Sequence, residues 1–176
     1  MGLIQTIFSP AFGFSVIRVT TPIIFAALAA LITNKAGVMN IALEGIMLMS
    51  AFFGTVVSAY TQSALWGVIA AVAAGITVAM IMAGFAFRMN ADLILTGIAM
   101  NTFASGATVF LMYVVCNDKA STSSLPSCNV PNIQLPFIRD IPVIGEVLSG
   151  HNLLTYLGFL SVIVVYFLIY KTPLGL

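Results

Sequence analysis

Charge is what this sequence has least of. Its 176 residues include six basic and five acidic side chains, 6% of the chain, with one histidine and two cysteines. A soluble domain covers its surface with roughly a quarter charged residues. Eleven charges cannot solvate a globule of this size, so the solvent around most of the chain must be lipid. A formal net charge of +1 leaves no basic patch of the kind nucleic acid needs, so no nucleic acid partner is expected. No Gly-Lys dipeptide occurs, which excludes a Walker A phosphate loop. The lone histidine, His151, has no cluster of His, Cys or carboxylate ligands around it in sequence. Neither a metal nor a cofactor is expected. Ser105 falls in an apolar run but His151 does not, so the Ser-His pair of an intramembrane protease is missing as well.

What the sequence has instead is apolar length. Hydrophobic residues fill 61% of positions and mean hydropathy is +1.14. Runs long enough to cross a bilayer, roughly 20 residues each, fall at about 14–32, 38–59, 64–87, 93–116 and 153–170. These predict an all-α integral membrane protein, one transmembrane domain of about five helices in a bundle. The opening stretch to Phe14 reads as an interfacial segment broken at Pro10. The connection 117–152 holds Pro126, Pro131, Pro136 and Pro142 together with Asp118, Lys119, Arg139, Asp140 and Glu146. It reads as one long loop outside the bilayer, with "IPVIGEVL" a short amphipathic helix. Lys35, Arg88 and Lys171 fall on one side by alternation and sit beside short connections. The positive-inside rule then places the N-terminus and the long loop outside and the end of the chain in the cytoplasm.

Small residues recur every fourth position in the third run, at Gly67, Ala71, Gly75, Ala79 and Ala83. Such faces let helix backbones approach closely where lipid gives no hydrophobic drive between helices. Gly97, Asn101, Ser105 and Thr108 are expected to share one side of the fourth run, as interhelical hydrogen bonding or as the wall of a polar path. Cys116 and Cys128 fall on the external side, either as a disulfide or as two free thiols. Glu44 stands apart. Taken as seven residues into the second run, with Asn40 one helical turn before it, it costs about 3 kcal/mol or more unless it faces water or a protein interior. Three readings stand: a carboxylate solvated near the interface, a structural lock on neighbouring helix ends or on Lys35, or a residue lining a translocation route.

The residues that carry a family resemblance run from Thr21 to Gly54, "TPIIFAALAALITNKAGVMNIALEGIMLMSAFFG". Within them the pattern GVxNIxxEGxML comprises Gly37, Val38, Asn40, Ile41, Glu44, Gly45, Met47 and Leu48. "ADLILTGIAMN", Ala91 to Asn101, and "YKTPLGL", Tyr170 to Leu176, extend the match. The chain resembles permease subunits of ABC importers for nucleosides and simple sugars, a branch of the group that includes ribose and branched-chain amino-acid permeases.

That resemblance implies a plasma-membrane protein that pairs with a second permease subunit. It further implies cytoplasmic ATPase subunits, which would hydrolyse ATP in place of this chain, and an external substrate-binding protein, often a lipoprotein. Family members continue beyond "KTPLGL" through a cytoplasmic coupling segment and further spans, so the chain is expected to be the N-terminal half of such a permease. Asn40, Glu44 and Asn101 are then the candidate residues of the path or its lock. Phe52, Phe53 and Phe103 are candidate faces for a nucleobase. Two rivals stand beside this reading: a non-transporting membrane scaffold, and a proton-coupled secondary transporter working through Glu44.

Overall fold

The computed structural model describes residues 10–118, 121–122, 125–133 and 148–172. Five long helices account for most of them: α1 Pro10–Lys35, α2 Leu43–Thr61, α3 Ala64–Arg88, α4 Leu93–Cys116 and α5 Leu153–Lys171. Each is long and apolar enough to cross a membrane. Among the described residues the only extended pairing is an isolated antiparallel bridge between Asn132 and Asn152. The protein is therefore all-α. Large apolar side chains lie on the outside throughout, Val19, Tyr60, Leu65 and Phe87 among them, as lipid-facing helices require. The expected amphipathic helix "IPVIGEVL" falls almost entirely outside the described residues, as do the segment before Pro10 and the end of "KTPLGL".

Four of the five expected runs match a helix within a few residues. The second does not. Residues 36–42 are not helical, and α2 begins only at Leu43. The cause is local chemistry. Gly37 takes φ +77°, Val38 N–H donates to Thr33 O and Gly37 N–H to Asn34 O, each at 3.0 Å. This is a Schellman motif, which ends a helix by turning its last carbonyls onto a left-handed residue. The Asn40 Oδ1 then accepts from Ala42 N–H at 3.1 Å, a side-chain turn that competes with helix. Asn40 and Glu44 are thus not one turn apart on a single helix face, because Asn40 is not in a helix at all.

A Cβ at Gly37 would meet no atom within 4 Å. Gly37→Ala should therefore cost only the conformational penalty of an L residue at positive φ, about 1–2 kcal/mol. A thermal shift of the purified protein would check this. No measurable loss would mean that the turn accepts another backbone conformation.

By contact the chain gathers into two units. One comprises Met1–Ile32 with Val130–Leu176, the other Thr33–Asn129. In the first, Gly158 of α5 admits the Phe25 ring of α1, whose atoms would lie 3.4 Å from a Cβ there. The Thr21 hydroxyl donates to Ile17 O at 2.9 Å and approaches the Thr155 hydroxyl at 3.4 Å. His151 is buried, its ring stacked on Phe14 with centroids 4.0 Å apart. Tyr156 donates to Leu148 O at 2.8 Å. The histidine thus fixes the return of the chain into α5.

In the second unit α2 packs on α3 and, less extensively, on α4. The expected small face of α3 is the contact. A Cβ on Gly67 would stand 2.7 Å from Ser58 Cβ, one on Gly54 3.0 Å from Ala71 Cβ, and one on Gly75 2.8 Å from Ser50 Oγ. Near the C-terminal end of α2, Ser58 Oγ accepts from Cys128 N–H at 3.1 Å and lies 3.2 Å from Cys128 O, to which it donates. Gln62 Nε2 donates to Ala59 O and Pro126 O. The segment around Pro126–Cys128 is thereby held against α2. Cys116 and Cys128 are both free thiols.

Candidate functional site

The chemistry of the second unit concentrates at the break before α2. Ala42, fully buried, packs with Val78 and Met82 of α3 and Met100 of α4, with Ile46, Met49 and Leu93 around them. The interruption is therefore seated in the core of this unit. Asn101 holds it from α4. Its Nδ2 donates to Ile41 O at 2.8 Å and its Oδ1 accepts from Gly45 N–H at 2.8 Å. One carboxamide thus satisfies a carbonyl before the helix and an amide in its first turn. The first turn of any helix leaves N–H groups without an intrahelical partner, and Asn101 supplies one of the missing acceptors.

Two glycines permit this approach. A Cβ on Gly45 would sit 2.9 Å from Asn101 Oδ1 and 3.1 Å from Met100 O, and one on Gly97 would sit 3.0 Å from Ile41 Cβ. Several backbone groups around the break have partners: Gly37, Val38 and Ala42 N–H as above, Ile41 O by Asn101, and Ala42 O by Ile46 N–H at 3.0 Å.

Depth follows from register. α4 starts at Leu93, capped by Asp92, whose Oδ1 accepts from Ile94 and Leu95 N–H at 2.8 and 3.1 Å. Asp92 and Arg88 mark the charged connection between α3 and α4. Asn101 lies eight residues beyond Leu93, roughly 12 Å along the axis at 1.5 Å per residue. Gly45 is level with it, so α2 begins about two turns deeper than α4 does. The chain from Lys35 to Ile41 can span at most about 20 Å when extended, which is enough to leave the interface and return to that depth. Non-helical backbone at membrane depth persists only where protein buries it or a watery cavity meets it.

Glu44 sits in the first turn of α2 and is exposed, between buried Ala42 and Gly45. A carboxylate there also complements the positive end of the helix dipole. Asn40 is half-buried and borders a small pocket of about 100 Å³ with Thr33, Val38, Met82, Ala83 and Leu93. Asn40, Glu44 and Asn101 are therefore gathered around one feature. Asn101 clamps, Asn40 turns the backbone, and Glu44 is presented outward.

The polar stripe on α4 needs one correction. Gly97, Asn101, Ala104 and Thr108 form the inner side, and Ser105 is exposed. The spacing of four, three and four follows the 3.6-residue turn better than Ser105 does. Thr108 donates to Ala104 O at 2.6 Å and lies 3.5 Å from Met49 Sδ.

The aromatics separate. Phe52 is buried and meets Phe53 edge-on at 5.5 Å. Phe53 and Phe103 line an open cleft of about 430 Å³ between α2, α3 and α4, otherwise walled by Met49, Ala70, Val78 and Ile81. Its one hydroxyl, Thr77, donates to Ala73 O at 2.8 Å. The cleft offers ring faces and almost no polar partners. Among the described residues no three His, Cys, Asp or Glu side chains gather as a metal site.

The described helices are long and apolar enough to cross a membrane, and a non-helical stretch before one of them is seated in the core of its unit. The chain belongs to the family described as the permease component of branched-chain amino acid transport systems, whose model matches residues 13–176. It is 32% identical over 162 residues to a guanosine ABC transporter permease protein of Bacillus subtilis, covering 88% of this chain and 50% of that protein. It is 28% identical over 160 residues to a putative glucose ABC transporter permease protein of Haloferax volcanii, covering 91% and 48%. A nucleoside ABC transporter permease protein of Lactococcus lactis is 26% identical over 167 residues, covering 89% and 51%. The chain spans about half the length of these relatives. No solved structure gives a significant match.

Proposed function

We propose that this chain is part of a permease subunit of an ABC importer that carries nucleosides or related simple sugars across the plasma membrane by alternating access. The family match across residues 13–176 carries the reading, with relatives named for guanosine, nucleoside and glucose transport in support. The permease itself hydrolyses nothing. Cytoplasmic ATPase subunits drive it, a second permease subunit completes the path, and an external binding lipoprotein delivers the solute. The N-terminus and the loop 117–152 lie outside, and Lys35, Arg88 and Lys171 mark the cytoplasmic side. Asn40 and Glu44 border the path at the break before α2, with Asn101 holding the break in place. Phe53 and Phe103 supply faces against which a base can rest.

The test is uptake by the complete transporter in proteoliposomes loaded with ATP, with its binding protein outside. Labelled guanosine or glucose should accumulate, and inactivating the Walker A lysine of the ATPase should abolish accumulation. Uptake that persists without ATP hydrolysis and follows a proton gradient would replace this reading with secondary transport. No uptake of either solute class would leave the scaffold reading standing.

A further inference from the structure

We propose that Glu44 is a hydroxyl-binding acceptor on the translocation path, with Asn101 as its positioning residue; this rests on the permease reading above and assigns the chemistry of its site. The argument begins with depth. Glu44 adjoins Gly45, whose N–H is bound to Asn101 Oδ1 at 2.8 Å, and Asn101 is about two turns inside the start of α4. A carboxylate at that level does not face hydrocarbon.

Exposure comes next. Glu44 points away from the packed core of its unit, whereas Ala42 and Gly45 on either side are buried. Met47, at 41% exposure, and Leu48, at 37%, continue the same open side of α2. Those two side chains are apolar, so the carboxylate alone makes the argument: it is tolerated at this level only where the face around it meets water or a polar solute.

The functional group sets the solute chemistry. An ionised carboxylate only accepts hydrogen bonds, and its bonds are stronger than neutral ones. A neutral solute rich in hydroxyl donors, a ribose or a hexose ring, is the complement; an anionic solute is repelled.

The clamp makes this position reproducible. Asn101 ties Ile41 and Gly45 to α4 at once, so the turn bearing Glu44 cannot slide or unwind independently of α4. Asn101 acts through Glu44 and need not touch the solute.

The experiment compares guanosine with 2′,3′-dideoxyguanosine as solutes for the complete transporter, with ATPase and binding protein unchanged throughout. A shift in their ratio then belongs to the permease. Glu44→Gln keeps an acceptor oxygen but loses the charge that strengthens its bonds, and should lower the maximal uptake of guanosine about tenfold. Uptake of the dideoxy compound should change less than twofold. Glu44→Asp should restore most of the preference, and Asn101→Ala should narrow the ratio in the fraction that still assembles. Equal losses for both solutes, no loss for either, or failure of Glu44→Gln to assemble would each overturn this proposal alone. A wild-type transporter that takes up neither nucleosides nor sugars would overturn the permease reading and this proposal together.

Discussion

Replacing Asn101 with alanine should destabilise the protein by about 2–6 kcal/mol, since two backbone groups inside the unit lose their partners at about 1–3 kcal/mol each. The two groups are Ile41 O and Gly45 N–H, both held at 2.8 Å. They lie beside Ala42 in the core of their unit, where water does not easily substitute. Removing the carboxamide also opens a gap against Gly45, so α2 can rotate about its own start. The measurement is the melting temperature of the protein in detergent or nanodiscs, with a drop on the order of 10 °C expected. Ser105→Ala is the control, because Ser105 is on the same helix but exposed. Asn101→Ala matching that control in stability would show that the break before α2 supports itself.

Gly67→Ala should cost about 1–3 kcal/mol through overpacking, although alanine is the better helix former. The added Cβ would stand 2.7 Å from Ser58 Cβ and 2.9 Å from Gly54 O. The second contact is with backbone, so no side-chain rotation relieves it and α2 must move away from α3. Ser58 is the residue that holds Cys128 by its N–H and C=O. The displacement should therefore free the segment around Cys128 too, and a maleimide should label Cys128 several-fold faster. Gly84→Ala on the same helix meets nothing within 4 Å. It should be neutral or stabilising by about 0.5–1 kcal/mol. If both substitutions behave alike, the close approach of α2 and α3 does not govern stability here.

The helices were legible in the sequence because the bilayer requires apolar length, and length shows in a single pass. α3, α4 and α5 lie within a residue of the expected runs. The small face of α3 was legible for a related reason, since without hydrophobic drive between helices only close approach remains to join them. A turn between the first two runs was expected at 33–37, but its extension to Ala42 was not recognised, although its signals were present. "NKAGV" holds the glycine of a Schellman turn and Asn40 is a turn-forming residue, yet the run 38–59 is apolar enough to pass as continuous helix. Mean hydropathy does not register φ. Ser105 was misassigned because polarity suggested an inward face, whereas register places Ala104 there. Asp92 was read only as part of a motif, although an aspartate before an apolar run signals an N-cap.

By itself the sequence determined that this protein lives in lipid, with five helices among the described residues apolar and long enough to cross it. It also marked Asn40, Glu44 and Asn101 as the polar residues to explain. Those conclusions need only composition and periodicity, because the cost of polarity in a membrane applies wherever the chain folds. Only the tertiary structure decided their separate parts. Asn101 is 56 residues from Gly45 and 60 from Ile41 in the chain, and no local pattern encodes that meeting. Two hydrogen bonds across that distance turn an apolar run into a clamped break, and they set Glu44 on the open side of α2 rather than in its core.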